Sequence, residues 1–275
     1  MMAQVKIGRR EALLALAGGA AALAAGLPAS AAAKKRILMV THTEGFHHDS
    51  IPLGEETVKD LGDRTRLWDV DYARTAEDVR TMITPDSLSR YDLVLFGNTT
   101  GELPISDEGK KAFMEWLRGG KGFVGIHSAT DTLYKWPEYG EMIGGYFNGH
   151  PWHQKVVIRI EDPHHPATQG LGSSFEIADE IYQFRNWSRS DKRVLLSIDP
   201  TSIDTSRGAR PDKDYAVAWV RSEGKGRVFY TSLGHEQAVW RDPRYQEHLL
   251  GGIRWALGLA RGSTKPLPAP PRGTA

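Results

Sequence analysis

Histidine recurs in this chain just beyond the predicted strands, in segments that are otherwise polar. The candidate acid–base residues are His48, His127, Asp131, His150, Glu180 and His235. Imidazole and carboxylate groups act as general acids and bases, and both bind divalent metals such as zinc, manganese or iron. No pair of these histidines has the spacing of a local zinc motif, so a metal site would have to be built from separate loops. The metal ligands would be His48, His127, His150 and His235. Histidines that act only as acid, base or hydrogen-bond donor fit the same pattern.

The residues around His127 argue against two other kinds of nucleophile. The chain contains no cysteine, which excludes thiol nucleophiles, thiolate metal sites and disulfides. His127 occupies the strand-to-helix turn at which α/β enzymes expose a nucleophile. Ser128 follows one residue too late for the serine elbow, and the second glycine of that motif is missing. A serine hydrolase is therefore disfavoured.

Aromatic and polar side chains close to these segments are candidates for a sugar site. The predicted substrate-binding residues are Asn98, Thr99, Trp136, Trp152, Tyr182 and Trp240. Flat aromatic faces can stack on sugar rings, although the same residues would equally form a packed rim with no ligand. A further histidine pair, His164 and His165, precedes Pro166 and predicts a turn with solvent-facing side chains.

The elements that must position these residues begin as βα units. Short apolar runs at 36–40, 66–70, 93–96 and 123–126 predict parallel strands, since amphipathic stretches follow the first three. Helix starts are predicted at Asp49 or Ser50, at Thr75 with Asp78 as a capping box, and near Ser106. Ligands bind beyond the carboxyl ends of the strands in such sheets, so we expect the histidines to converge there.

Beyond residue 126 the pattern changes to paired strands and a closing helix. Strands are predicted at 155–160, 175–184, 193–198, 215–221 and 226–232, the last two as a hairpin. Asp242 and Pro243 predict the start of a helix that ends near residue 257. The sequence therefore predicts one domain, in which parallel βα units are followed by an antiparallel section.

The two ends of the chain differ in composition from this domain. Residues 1–33 contain Arg9-Arg10, an apolar run at 12–27 and a small-residue cleavage pattern, which predict a twin-arginine (Tat) signal peptide. The apolar run is too short to span a membrane, so we expect a periplasmic or secreted protein. The domain is assigned to 34–261, and the proline-rich residues 262–275 are predicted to be a disordered tail.

Charge gives no sign of a polyanionic partner. The chain has 35 Lys and Arg against 34 Asp and Glu. A nearly neutral balance gives no electrostatic reason to expect binding to nucleic acid or to an acidic membrane surface.

Several motifs together resemble the ThuA-like (trehalose utilisation) family, which is related in fold to class I glutamine amidotransferases. These motifs are Gly45-Phe46-His47-His48-Asp49-Ser50-Ile51, Gly125-Ile126-His127-Ser128-Ala129-Thr130-Asp131, Gly144-Gly145-Tyr146-Phe147 with His150-Pro151, His165-Pro166-Ala167-Thr168, Asp179-Glu180-Ile181-Tyr182, and residues 226–235. The resemblance covers nearly the whole chain after the signal. It implies an α/β fold, a flavodoxin-like three-layer sandwich with a mostly parallel central sheet. Its pocket would lie at the strand ends.

The resemblance also implies a function in carbohydrate metabolism. His127 stands where the amidotransferases have a cysteine nucleophile, so glutaminase chemistry is excluded. The implied role is the breakdown of a disaccharide or glycoside, on a sugar oxidised to its 3-keto form by a partner dehydrogenase. We expect histidine-based acid–base chemistry, with or without a divalent metal. The alternatives are a non-catalytic sugar-binding protein that uses the same crevice, and an interaction module that acts through the proline-rich tail.

Overall fold

A computed structural model describes residues 33–268 and shows alternating strands and helices up to residue 126. The strands are β1 Lys35–Val40, β2 Trp68–Ala73, β3 Leu93–Gly97, β4 Gly122–Ile126, β5 Tyr146–Phe147, β6 Trp152–Ile160, β7 Ser174–Ile181, β8 Phe184–Arg185, β9 Arg193–Ile198, β10 Ala216–Glu223 and β11 Gly226–Thr231. The helices are α1 Ile51–Thr65, α2 Ala76–Met82, α3 Pro85–Leu88, α4 Asp107–Arg118, α5 Pro137–Ile143, α6 Gln237–Arg241 and α7 Pro243–Ala256. The predicted signal peptide, apart from Ala33, lies outside the described residues.

One sheet carries most of the strands, in the order β2-β1-β3-β4-β11-β10-β9-β6-β7. The first five are parallel, and from β11 onward each neighbouring pair is antiparallel. Apolar side chains are buried on both faces of the sheet, in two cores that also include residues of the helices. The predicted α/β three-layer sandwich, with an antiparallel section added to a parallel sheet, is therefore confirmed.

Polar caps set the helix starts that the sequence predicts. Ser50 is the N-cap of α1, and Thr75 with Asp78 forms the complete capping box of α2. Ser106 and Asp242 accept backbone N–H groups at the starts of α4 and α7. The side chains of Thr75, Ser106 and Asp242 satisfy amide groups that a helix leaves without partners in its first turn. Ser50 makes no such bond, and its hydroxyl donates to the Gly234 carbonyl instead. The helix starts are therefore confirmed.

The predicted strand 155–160 begins earlier, at Trp152, and two other predicted strands are shifted or broken in the structure. The second runs from Trp68 to Ala73 rather than 66–70, because Arg66 ends α1 in the left-handed region with φ 58°. The predicted strand 175–184 is broken after Ile181. Its second piece, β8, pairs with β5 outside the large sheet. This break places Tyr182 between the two sheets, close to the histidines described below.

The segment after α7 is held on the domain for several residues. The carbonyl of Gly262 accepts a hydrogen bond from the Trp255 indole at 3.2 Å, and that of Lys265 accepts one from Arg193 at 2.9 Å. The predicted disordered tail therefore starts too early at residue 262, because these contacts order its first part. Residues 269–275 lie outside the described residues. Within 33–268, no helix has the length and apolar character needed to cross a membrane.

His165 is buried, which contradicts the prediction of a solvent-facing side chain. Its Nδ1 accepts the Ala167 N–H at 3.2 Å, while His248 Nδ1 donates to the Ala167 carbonyl at 2.7 Å. Burial is the largest influence on both rings and lowers the pKa of each to about 4. The turn therefore packs neutral His165 against α7, which carries the neutral His248.

This pair predicts a loss of stability in mild acid. In the unfolded chain the two histidines titrate near 6.5, so between pH 6.5 and about 4 unfolding takes up protons that the folded protein does not bind. Their contribution is complete above pH 6.5 and is lost as the pH falls. We expect the free energy of unfolding, measured with urea, to fall between pH 7.5 and pH 5. This fall should be smaller by about 2 kcal/mol in His248→Asn than in wild type. The control is the exposed His164→Asn, which should match wild type; an unchanged loss in His248→Asn would contradict the prediction.

Candidate functional site

Three imidazole rings meet at the carboxyl edge of the parallel strands. His48 follows β1, His127 follows β4 and His235 follows β11. The ring centroids are 4.9 Å apart for His48–His127, 5.1 Å for His48–His235 and 5.2 Å for His127–His235. His48 and His127 are buried, whereas His235 is partly exposed. The convergence expected from the strand topology is therefore present, and we call these three residues the histidine cluster.

His127 has the backbone of a nucleophile elbow. Its φ is 49°, in the left-handed region that side-chain-bearing residues seldom adopt. Its Nδ1 lies 2.8 Å from the Ser232 carbonyl, at the end of the neighbouring strand β11. A carbonyl oxygen only accepts, so Nδ1 must carry the proton, and in the neutral ring Nε2 keeps a lone pair. That lone pair points into the cluster.

Glu180, in β7, joins two of these histidines to a fourth. Its Oε2 lies 3.4 Å from His127 Nε2 and 3.3 Å from His235 Nδ1, while Oε1 lies 3.2 Å from His150 Nδ1. His150 is half exposed, so it links the buried centre to the surface. The carboxylate can therefore orient His150 in the way that a buried acid orients the histidine of a catalytic triad.

Asp179 holds the loop that carries His235. Its buried carboxylate accepts the N–H of Gly234 at 2.7 Å and the N–H of Glu236 at 3.0 Å. Burial raises the pKa of Asp179. Sequence reasoning did not separate the role of Asp179 from that of its neighbour. The only sequence signal that distinguishes Asp179 from Glu180 is their position in a strand, because successive side chains of a strand point to opposite faces.

The electrostatics of the cluster divide its members into neutral and charged groups. Burial, followed by the neighbouring His127 and His235, lowers the pKa of His48 to about 3, so this ring is neutral at physiological pH. Burial opposes ionisation of Glu180, but the neighbouring His127 and His235 rings hold its pKa well below the usual range. The hydrogen bond with Glu180 raises the pKa of His235. The site thus combines neutral imidazole with an ionised carboxylate.

The cluster suits a divalent metal. His48, His127 and His235 each offer a ligand atom, all within 4.8 Å of one another. Among the described residues, Nδ1 of buried His48 has no hydrogen-bond partner. The His127 lone pair also faces the Glu180 carboxylate, and a cation or proton between them would relieve the repulsion. His150, also predicted as a ligand, contacts Glu180 and is not in this group. A second group, His153, His235 and Glu236, lies at the exposed rim.

Most residues predicted to bind substrate prove to be structural. Trp136, Trp152 and Trp240 belong to the hydrophobic cores, so their faces are covered and the predicted stacking on sugar is wrong for them. Burying such large aromatic side chains stabilises the fold. Buried Asn98 donates to Ser50 and to the Gly234 carbonyl, which braces the loops.

Three other predicted residues lie around the cluster in different ways. Buried Thr99 hydrogen-bonds Thr132. Asp131, whose pKa is raised by burial, accepts the Tyr134 hydroxyl at 2.5 Å and makes no hydrogen bond to the histidines. Tyr182 contacts His127 with ring centroids 4.3 Å apart and the two rings tilted by 38°. Tyr182 is therefore the aromatic candidate that the structure places at the centre.

Two aromatic residues beside the site were missed by sequence reasoning. Phe46 contacts His48, with ring centroids 4.8 Å apart, and Phe147 contacts Tyr182 at 4.3 Å. Both occur within the family motifs, but nothing in the composition of a motif shows which of its aromatic side chains remains accessible. That depends on the layers packed around it.

The comparisons with known proteins agree with this architecture. A family model described as ThuA, trehalose utilisation, matches residues 36–256. A ThuA-like protein from Bacteroides uniformis is 23% identical with a TM-score of 0.65, and the match covers 84% of this chain and 95% of that one. Another from Parabacteroides merdae is 20% identical with a TM-score of 0.65, covering 87% and 94%.

A more distant structure, described as a cytoplasmic protein from Salmonella typhimurium, is 14% identical with a TM-score of 0.51, covering 81% of this chain and 98% of that one. At these identities the structural likenesses establish the fold alone. The comparison with curated protein sequences gave no match.

Proposed function

The chain belongs to the ThuA family of trehalose utilisation, and from that premise we propose that it is an enzyme acting on a glycoside or 3-keto-sugar by histidine-based, metal-assisted acid–base chemistry. The observation that carries the proposal is the convergence of three imidazoles and one ionised carboxylate at a single strand-end edge. Such a set can move a proton and hold a cation, as the cleavage of an oxidised sugar requires.

The chain's own residues divide these tasks in the proposed mechanism. His48, His127 and His235 would hold the metal, which when bound would polarise a substrate carbonyl and stabilise negative charge on its oxygen. His150, oriented by Glu180 at 3.2 Å, is the base that removes the proton from the carbon beside that carbonyl. The C–H electrons form the enolate. As the carbonyl reforms, a double bond forms between that carbon and the anomeric carbon, and the bond from the anomeric carbon to the glycosidic oxygen breaks. The departing oxygen takes up the proton held by His150 and leaves as the free sugar, while the oxidised ring remains as an unsaturated ketone.

The alternative is a sugar-binding protein without catalysis. The half-exposed His150 lies beside the cluster and would contact a bound ring in either case, whereas Tyr182, behind it, is buried. An enzyme consumes its ligand, whereas a binding protein retains it unchanged. The two hypotheses therefore differ in product formation and not in affinity.

The deciding experiment combines metal analysis with a product assay. Protein purified from its native host is expected to contain one divalent ion per chain and to release glucose from 3-keto-trehalose. Removing the ion with a chelator should abolish this release, and adding the same ion back should restore it. Sugar affinity with no product from any glycoside or keto-glycoside, with or without added Zn²⁺, Mn²⁺ or Fe²⁺, would contradict the enzyme hypothesis and favour the binding protein.

We also propose that the protein works outside the cytoplasm, after export by the twin-arginine route. The support is the Arg9-Arg10 pair followed by the apolar run and small-residue cleavage pattern of residues 12–33. A keto-sugar substrate would come from a dehydrogenase, which acts as partner in the reaction sequence. Fractionation of the native host tests the location, since the proposal requires the mature protein in the periplasm or the medium.

A further inference from the structure

Phe46 is an apolar ring held in solvent at the edge of the histidine cluster. Its side chain is 64% exposed, and the only other exposed large hydrophobic residue among the described residues is Leu259, at 39%. Isolated apolar residues are common on protein surfaces and need no function. Phe46 differs because its ring touches His48 and lies nearly parallel to His235, with an interplanar angle of 18°.

The backbone around Phe46 is anchored. The Thr100 hydroxyl donates to the Phe46 carbonyl at 2.8 Å, and the Glu44 N–H donates to the Thr100 carbonyl at 2.9 Å. A Cβ at Gly45 would lie 3.1 Å from the Thr100 hydroxyl oxygen, so the two loops approach closely. The exposed ring therefore has a defined position beside the site, as a binding surface requires.

A second aromatic surface lies on the other flank of His127. Phe147 packs on Tyr182 and lies nearly parallel to the half-exposed His150 ring, with centroids 5.8 Å apart. Tyr182 in turn contacts His127. Phe46 and Phe147 thus end a continuous chain of ring contacts, and the histidine cluster lies between them.

We propose that Phe46 and Phe147 are the stacking platforms of two sugar subsites, so that the site takes a disaccharide whose linking bond lies over the histidine cluster. The apolar C–H faces of a pyranose ring are complementary to an exposed aromatic face, and burying both removes apolar surface from water. A single-ring substrate would use one platform and leave the other in solvent. The inference rests on the proposed function for the identity of the ligand as a sugar.

The test measures binding and catalysis separately with one-ring and two-ring ligands. Calorimetry measures the affinity for trehalose and for methyl α-glucoside, and KM is measured for the 3-keto form of each. We call trehalose with its 3-keto form the trehalose pair, and methyl α-glucoside with its 3-keto form the methyl glucoside pair. Phe46→Ala and Phe147→Ala should each weaken binding of the trehalose pair by about tenfold, which is about 1.4 kcal/mol. With the methyl glucoside pair, one of the two substitutions should have this effect and the other none.

Matched variants separate stacking from general damage. Phe46→Trp keeps a flat aromatic face and should retain the wild-type affinity, while Phe46→Leu keeps an apolar side chain without that face and should lose it. Leu259→Ala removes the other exposed large hydrophobic residue and should change nothing. Because Phe46 is exposed, its replacement should leave the unfolding temperature unchanged. Phe147 is partly buried, so the affinity of Phe147→Ala is compared with wild type only if the variant keeps the wild-type unfolding temperature.

The inference is overturned if Phe46→Ala binds the trehalose pair like wild type, or if both alanine variants weaken one-ring and two-ring ligands equally. Absence of wild-type affinity for trehalose in either form also overturns it. Failure of the proposed function gives a different result. Trehalose would then bind, with the expected dependence on both phenylalanines, while no keto-glycoside is turned over.

Discussion

Glu180→Gln is expected to lower turnover of the keto-sugar by about a thousandfold, the scale of a lost general acid–base system. The substitution keeps the shape of the side chain but removes the charge that faces His127, His150 and His235. The new NH2 group replaces one carboxylate oxygen, so it would place N–H donors against either His150 or His235, where an acceptor now stands. Rate measurements at saturating substrate on wild type and variant check the prediction.

Glu176 provides the matched control for Glu180, because it lies in the same strand. Its carboxylate is exposed and pairs with Lys155 at 3.4 Å. Glu176→Gln makes the same chemical change without touching the site, and surface ion pairs contribute little to stability. We expect wild-type rates from this variant. If Glu180→Gln also kept the wild-type rate, the carboxylate would have no part in the chemistry.

His127→Asn is expected to remove bound metal and to reduce turnover at least about a hundredfold, because a ligand is lost from a three-histidine set. Asparagine tolerates the left-handed backbone at φ 49° better than most residues, so the elbow should be preserved. Its amide can still donate to the Ser232 carbonyl, but nothing replaces the Nε2 lone pair. Elemental analysis and the keto-sugar assay measure the two effects.

His248→Asn is the control that matches this change in chemistry and burial. His248 is also fully buried, and its Nδ1 donates to a main-chain carbonyl at 2.7 Å, as His127 does at 2.8 Å. It lies beside Ala167, outside the histidine cluster, so its variant should keep metal and activity. Loss of activity from His127→Asn with full metal content would assign the ring to proton transfer instead of metal binding. Unchanged metal and activity would show that the site is misplaced.

The sequence by itself determined the order of the elements and the edge of the sheet at which the chemistry lies. Short apolar runs followed by capped helices specify parallel βα units, and the ends of parallel strands meet at one edge. His48 and His127 each follow a predicted parallel strand, and His235 follows the predicted hairpin strand 226–232, so their convergence at one edge could be predicted without coordinates. Local patterns suffice here, because periodicity and capping act over a few residues.

The tertiary structure alone decided which side chains are accessible and which are covered. Trp152 and Phe46 both lie in polar, histidine-rich segments, yet the first is buried under the Asp204 loop and the second projects into solvent. Asp179 and Glu180 are adjacent acids, but one braces the His235 loop and the other faces the cluster. Burial and partner choice depend on layers that come from distant parts of the chain, and no local pattern encodes them. The histidines of the site and Tyr182 could therefore be predicted from the sequence, whereas the accessible rings of Phe46 and Phe147 could not.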